Sequence, residues 1–248
     1  QLSALPTVRP PFSGCDDFGL SASMHPAKEV GGDFYDFFLI DQDHCGVVIA
    51  DVSGKGVPAA LFMMRVKALL NQLLREDLSP DQVLARANDG LCEDNEAGMF
   101  VTVWLGVLDL RSGKLVYANG GHNPPLYRHA DGSVEWMRDR SGLLLGSFEG
   151  VPYRVFERTM IRGDSLILYT DGVTEAMDAS DHCYGDERLF QLVERECDGY
   201  PASVSGVIEE DVRAFAEGAD QADDITLLVL RYDGQENGPA ASAAGNRG

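Results

Sequence analysis

The 248 residues include 44% apolar and 24% charged side chains, the balance of a folded globular chain, because a disordered one joins low hydrophobicity to high charge. Forty acidic residues against 20 basic ones give a net charge of −20, which repels nucleic acid and anionic membrane and favours cations or basic partner surfaces. The five cysteines, Cys15, Cys45, Cys92, Cys183 and Cys197, are odd in number, scattered and without a C-x-x-C pair. That pattern speaks against a disulfide framework or a zinc knuckle and for a reducing cytoplasm. No apolar run approaches the length of a membrane span. The chain opens at Gln1 without an initiator Met or a signal-peptide pattern, so a segment of a longer polypeptide is expected.

Residues 1–17 hold Pro6, Pro10, Pro11 and Gly14 and read as an irregular linker or lead-in from an upstream region. A single domain is expected over 18–233. Short apolar runs at Phe18–Ala22, Phe34–Ile40 and Gly46–Ala50, set apart by Gly- and Asp-rich turns, predict strands. After Gly54-Lys55-Gly56 the period changes. Pro58 stands where a first-turn proline belongs, and Leu61, Met64 and Ala68 are read as the apolar side of a helix reaching about Leu74. Ser79-Pro80-Asp81 opens a second helix with Val83, Leu84, Ala87 and Leu91 on one face, and the two helices are expected to pack together. Strands are predicted at Phe100–Asp109 and Lys114–Asn119, joined by the turn Arg111-Ser112-Gly113, then at Leu126–Arg128, Tyr153–Thr159 and Ser165–Tyr169. Helices follow at Glu187–Cys197 and Ala202–Ala216, and a last strand at Asp224–Tyr232. Residues 234–248, rich in Gly, Ala, Ser and Asn, read as a disordered tail. Two blocks of strands interrupted by helix pairs predict an α+β layered sandwich, since each helix pair needs a sheet face for its apolar stripe.

Four acidic motifs sit at strand ends or in glycine-rich turns: Gly31-Gly32-Asp33, Asp51-Val52-Ser53-Gly54, Thr170-Asp171-Gly172 and Asp223-Asp224. Any one of them alone reads as a turn aspartate bonded to nearby N–H groups. Together they offer oxygen ligands from separate strand ends, which suit Mg²⁺ or Mn²⁺ better than Zn²⁺.

With these residues in place, the chain resembles the bacterial SpoIIE/RsbU-type branch of the PPM (PP2C-like) serine/threonine phosphatases. The carriers are Glu29-Val30-Gly31-Gly32-Asp33-Phe34-Tyr35-Asp36, Asp51-Val52-Ser53-Gly54-Lys55-Gly56, Asn119-Gly120-Gly121-His122-Asn123-Pro124-Pro125, Tyr169-Thr170-Asp171-Gly172-Val173-Thr174-Glu175-Ala176 and Asp223-Asp224-Ile225-Thr226. They occur in family order from about Phe18 to Tyr232. The resemblance implies a PP2C-like αββα sandwich, two central antiparallel sheets flanked by helix pairs, with two Mn²⁺ or Mg²⁺ ions in a cleft at one edge. It implies that Asp33 bridges both metals, that Asp51 and the Val52 carbonyl complete the first site, and that Asp171 and Asp223 hold the second. Asp224, often Asn in the wider family and not usually a direct ligand, stays outside that set. Gly120 stands where relatives usually have Ala, and Tyr184-Gly185 where many have Phe-Gly; neither touches the ligand set. Two ions roughly 3.5–4 Å apart lower the pKa of a shared water and neutralise phosphoryl charge, so no protein nucleophile is required. The cysteines lack a C-x5-R arrangement that would suggest one.

His122 could serve as a general acid, but between Gly121 and Asn123-Pro124-Pro125 it reads more simply as a turn histidine. Lys28, Glu29 and Lys55 flank the ligand motifs and are read as solvated charges. Phe62, Met63 and Met64 read as a core face, with a regulatory role for the helix pair implied by the resemblance. Gly31-Gly32-Asp33-Phe34 also imitates a diguanylate cyclase signature and departs from it at Phe34, where an acidic residue belongs. The non-enzymatic alternative, a degenerate phosphatase fold that binds phosphoproteins, would be marked by a lost metal carboxylate, and all are present. The resemblance further implies a phosphorylated STAS-domain anti-anti-sigma-type protein as substrate in bacterial partner switching. It also implies a domain that commonly sits behind sensor, receiver or HAMP modules, which agrees with the cytoplasmic setting read from the cysteines, as the cytoplasmic part of a membrane-anchored sensor in some cases. A homodimer through the upstream linker is expected as one way for such a module to act on the site.

Overall fold

Residues 18–234, apart from Asp77 and Asp94, are described by a computed structural model. The expected lead-in over 1–17 and all but the first residue of the expected tail over 234–248 lie outside them. The strands are β1 (Phe18–His25), β2 (Phe34–Leu39), β3 (His44–Val52), β4 (Val101–Asp109), β5 (Lys114–Gly120), β6 (Leu126–Arg128), β7 (Val134–Trp136), β8 (Phe156–Thr159), β9 (Ser165–Tyr169) and β10 (Ile225–Tyr232). The helices are α1 (Val57–Leu73), α2 (Pro80–Cys92), α3 (Asp171–Thr174), α4 (Asp186–Glu196) and α5 (Pro201–Phe215).

The strands form two antiparallel sheets, ordered β1-β10-β9-β6-β7 and β2-β3-β4-β5-β8. Side chains alternate across a strand, and β9 and β10 use both faces. Leu166, Leu168, Leu228 and Leu230 join the core between the sheets, whereas Ile167, Tyr169, Leu227 and Val229 pack beneath α4 and α5. On the other sheet α1 and α2 cover the outer face, and Arg65 on α1 donates to the Gly90 and Glu93 carbonyls of the α2 end at 2.6 and 2.9 Å. Helix, sheet, sheet, helix is therefore the layer order, as the family resemblance implied. The start of α2 is fixed by a capping box: the Ser79 hydroxyl accepts from the third helical N–H while the Gln82 side chain accepts from Ser79 N–H at 3.2 Å.

The apolar face expected for the first helix is corrected by the structure. Leu61, Met64 and Ala68 are exposed, Leu61 at 67%, while Ala59, Phe62, Met63, Val66, Leu70 and Leu73 are buried. The helix is apolar nearly all round, so periodicity alone does not select a face; the sheet selects 59, 62, 63, 66, 70 and 73. In the second helix Val83, Leu84, Ala87 and Leu91 are all buried, as expected. The strand expected over Tyr153–Thr159 starts only at Phe156, and β7 and α3 are additions, each too short to carry a period.

Candidate metal centre

The register brings four separate motifs to one edge of the sandwich. Asp33 immediately precedes β2 and Asp51 is the penultimate residue of β3; because Phe34 pairs with Ala50, the two lie beside each other. Asp171 opens α3 just after β9, and Asp223 lies two residues before β10; Tyr169 pairs with Leu227, so these also share an end. The two sheets are tied together there through Asp33. Its Oδ2 accepts hydrogen bonds from the hydroxyls of Thr170 at 2.6 Å and Thr226 at 2.7 Å, both from the opposite sheet. Asp33 is only 2% exposed.

Burial and mutual repulsion dominate the electrostatics. Burial pushes the Asp33 carboxyl well above the ordinary carboxylate range, and the charge of Asp51 adds to this, partly offset by the two threonine hydroxyls. Asp51 is pushed up to about 7 by burial and by Asp171, with smaller contributions from Asp223 and Asp224 against a hydrogen bond shared with Asp33. Asp171 is raised by burial, then by Glu175 and Asp223. Among the described residues no three His, Cys, Asp or Glu side chains are drawn into a ready-made cage. The four carboxylates form a looser set, with Asp223 held 2.9 Å from the Lys55 ammonium. Their donors are nevertheless all oxygen, and a hard divalent cation is what allows such crowded carboxylates to ionise together. The Val52 carbonyl oxygen faces Gly32 at the same edge. Asp33, Asp51, Asp171 and Asp223, with the Val52 carbonyl, are thus the groups that could hold metal.

Asp224 has a different position. Its Oδ1 accepts from Ala27 N–H at 2.9 Å, and its Oδ2 from Gly32 N–H at 2.9 Å and Asp33 N–H at 3.5 Å. Both oxygens are spent on clamping the loop that presents Asp33. Space around the clamp explains two glycines: a Cβ on Gly31 would overlap the Asp224 carboxylate, and one on Gly172 would overlap the Asp224 backbone carbonyl.

His122 is buried behind the site. Its Nδ1 lies 2.8 Å from the hydroxyl of Thr102, which pairs across the sheet with Asp51. Its N–H and C=O are both bonded to the Asn119 side chain, at 2.8 and 3.0 Å. Burial lowers its pKa to about 4, against a slight opposing pull from the Tyr169 carbonyl, and Nε2 makes no well-formed hydrogen bond among the described residues. A buried imidazole held by Thr102 of β4, on a backbone fixed by the Asn119 side chain, fits the turn-histidine reading.

Thr170, Thr226 and Lys55 were underread in the sequence. Thr170 stands next to the candidate ligand Asp171, whereas Thr226 lies three residues past Asp223, so adjacency was a signal only for the first. Lys55, read as solvated, bonds Asp223 and, at 2.6 Å, the Ala222 carbonyl. Cys45 and Cys197 are buried, Cys92 is half-buried and Cys183 is exposed.

The family model for stage II sporulation protein E matches residues 41–233. Phosphoserine phosphatase RsbU of Bacillus subtilis is 30% identical over 212 residues, covering 86% of this chain and 62% of that protein. Protein IcfG of Synechocystis is 29% identical over 238 residues, 85% of this chain and 37% of that protein. The chain therefore spans less than two thirds of each of these relatives. Among solved structures, the SiaA-PP2C domain of Pseudomonas aeruginosa superposes with a TM-score of 0.77 at 21% identity, over 86% of both chains, which establishes the PP2C-like fold. With the family model matched over most of its length, the chain belongs to the stage II sporulation protein E (SpoIIE) family.

Proposed function

We propose that this chain is the catalytic domain of a Mn²⁺- or Mg²⁺-dependent protein phosphatase that removes phosphate from phosphoserine or phosphothreonine of a partner protein. The observation that carries the reading is the convergence of Asp33, Asp51, Asp171 and Asp223 at adjacent strand ends, with the carboxyls of Asp33, Asp51 and Asp171 pushed up by burial and by neighbouring carboxylates. The similarity to a phosphoserine phosphatase supports the substrate class. A STAS-domain anti-anti-sigma-type regulator in a cytoplasmic partner-switching pathway is the substrate we favour, because the motif resemblance is strongest to phosphatases of that kind.

When bound, two such cations would supply an acidified water and neutralise charge on the phosphoryl group. The chain's own residues prepare that site. Asp33 is aimed by the Thr170 and Thr226 hydroxyls on its Oδ2, and the Asp224 clamp fixes the loop that carries it. Asp51 and Asp171 bring carboxylates from one sheet each, and Lys55 balances Asp223 at the rim. His122, buried behind the site with Nδ1 on the Thr102 hydroxyl, is given a structural role in this reading.

Purified protein is expected to release phosphate from a phosphoserine peptide with Mn²⁺ or Mg²⁺, to stop on addition of EDTA and to recover when Mn²⁺ is restored. Undiminished turnover in chelator would remove the metal reading. Binding of the phosphopeptide with no turnover under any divalent cation would favour the non-enzymatic alternative.

A further inference from the structure

A groove of about 760 Å³ opens beside the candidate metal centre. It runs between the C-terminal half of α5 with the following loop and the segment after α3, and it shares Lys55, Gly172 and Asp223 with the site. A phosphoryl group held at the metal centre would therefore leave its neighbours in the substrate chain, at about 3.3 Å per residue when extended, lying along this groove.

The lining is apolar at Ala176, Met177 and Ile225 and acidic at Glu175, Glu210, Glu217 and Asp220. None of those four carboxylates has an ion-pair partner among the described residues. Of the basic side chains in the groove, Lys55 is already paired with Asp223 and His25 stands 3.5 Å from Glu209, which leaves Arg213. A phosphoserine carries close to two negative charges, and this wall would repel it together with any acidic neighbour. Lysine or arginine beside the phosphoserine would reverse the sign of that interaction. Met177, 39% exposed, adds an adaptable apolar contact for the stems of such side chains.

We propose that the groove is the docking site for the segment flanking the phosphorylated residue, and that the segment it selects is basic. This rests on the phosphatase reading and names the specificity of the same site. Selection acts through exposed charges, so it strengthens encounter at low salt and is screened at high salt.

Two phosphoserine peptides of equal length, one flanked by lysines and one by glutamates, separate the possibilities when kcat/KM is measured with Mn²⁺ at low and high salt. A small aryl phosphate, which reaches the metals without entering the groove, is run beside them on the wild type. The lysine peptide is expected to exceed the glutamate peptide by about tenfold at low salt, with the ratio shrinking as salt rises. The exposed substitutions Glu210→Gln, Glu217→Gln and Asp220→Asn, combined, are expected to bring that ratio down to about twofold. Equal values for the two peptides, or a ratio that survives the triple substitution, would overturn the docking inference while aryl phosphate turnover leaves the phosphatase reading standing. Failure of the wild type on the aryl phosphate and on both peptides would overturn both.

Discussion

Replacing Asp224 tests whether that residue is a clamp or a ligand. Its carboxylate holds two backbone N–H groups at 2.9 Å and a third at 3.5 Å in a position only 6% exposed. A hydrogen bond to a charged group contributes about 1.5–3 kcal/mol, and a buried donor left unpaired costs a similar amount. Asp224→Ala orphans at least two such donors, so a loss of about 3–5 kcal/mol is expected. For a domain of this size each kcal/mol moves the midpoint by about 2–4 °C, so the melting temperature should fall by about 10 °C. Asp224→Asn keeps one carbonyl acceptor and should recover about half of that loss. Thermal melts report the stability, and Mn²⁺ titrations of phosphate release report the site. If Asp224 is a clamp, the Asn variant keeps a Mn²⁺ requirement within a few-fold of wild type. An Asn variant with an unchanged melting temperature and no response to Mn²⁺ would refute this reasoning.

Three further outcomes are expected. The Asp51 carboxyl, raised from 3.8 to about 7, stays protonated in the folded chain at pH values where the unfolded chain has released its proton. Its contribution to stability is therefore present below about pH 4 and lost as pH rises through 7, up to about 4 kcal/mol at 1.36 kcal/mol per pH unit. Urea melts in EDTA should show a lower midpoint at pH 8 than at pH 5, with Mn²⁺ restoring the midpoint at pH 8; a midpoint that climbs with pH would contradict the crowding. On α1, Phe62→Ala should cost about 3–5 kcal/mol and Leu61→Ser less than about 0.5 kcal/mol, and the reverse order would restore the face the sequence suggested. The Lys67 ammonium pairs with the Asp36 carboxylate, which also accepts from Asn71 at 3.0 Å, and neither member of the pair is more than 13% exposed. Lys67→Ala should therefore cost about 3 kcal/mol by leaving a buried charge unpaired, and a melt within 2 °C of wild type, using the same scale, would count against it.

The sandwich was legible because β9 and β10 carry unbroken apolar runs that only a strand buried on both faces can use, and because Gly56-Val57-Pro58 and Ser79-Pro80 mark helix starts. The face of α1 was not legible, since Leu61 and Phe62 are equally apolar and only the position of the sheet tells them apart. The aspartates were legible as a set from their repeated placement at strand ends. What each does was less so. Asp223 and Asp224 are adjacent and chemically identical, yet one faces Lys55 at the rim and the other bonds back onto the loop before Asp33. Thr170 and Thr226 act across the two sheets, 137 and 193 residues from Asp33 in the chain, and no local pattern encodes a partnership over that distance.

Phosphate release from a phosphoserine peptide as Mn²⁺ is raised, for wild type and Asp33→Ala side by side with circular dichroism of both, tests the two-cation account most directly. The account predicts saturable Mn²⁺-dependent turnover in the wild type and none in a folded Asp33→Ala chain, because the carboxylate that joins the two halves of the site is gone. A folded Asp33→Ala variant that turns over at the wild-type rate with the same Mn²⁺ requirement would contradict it.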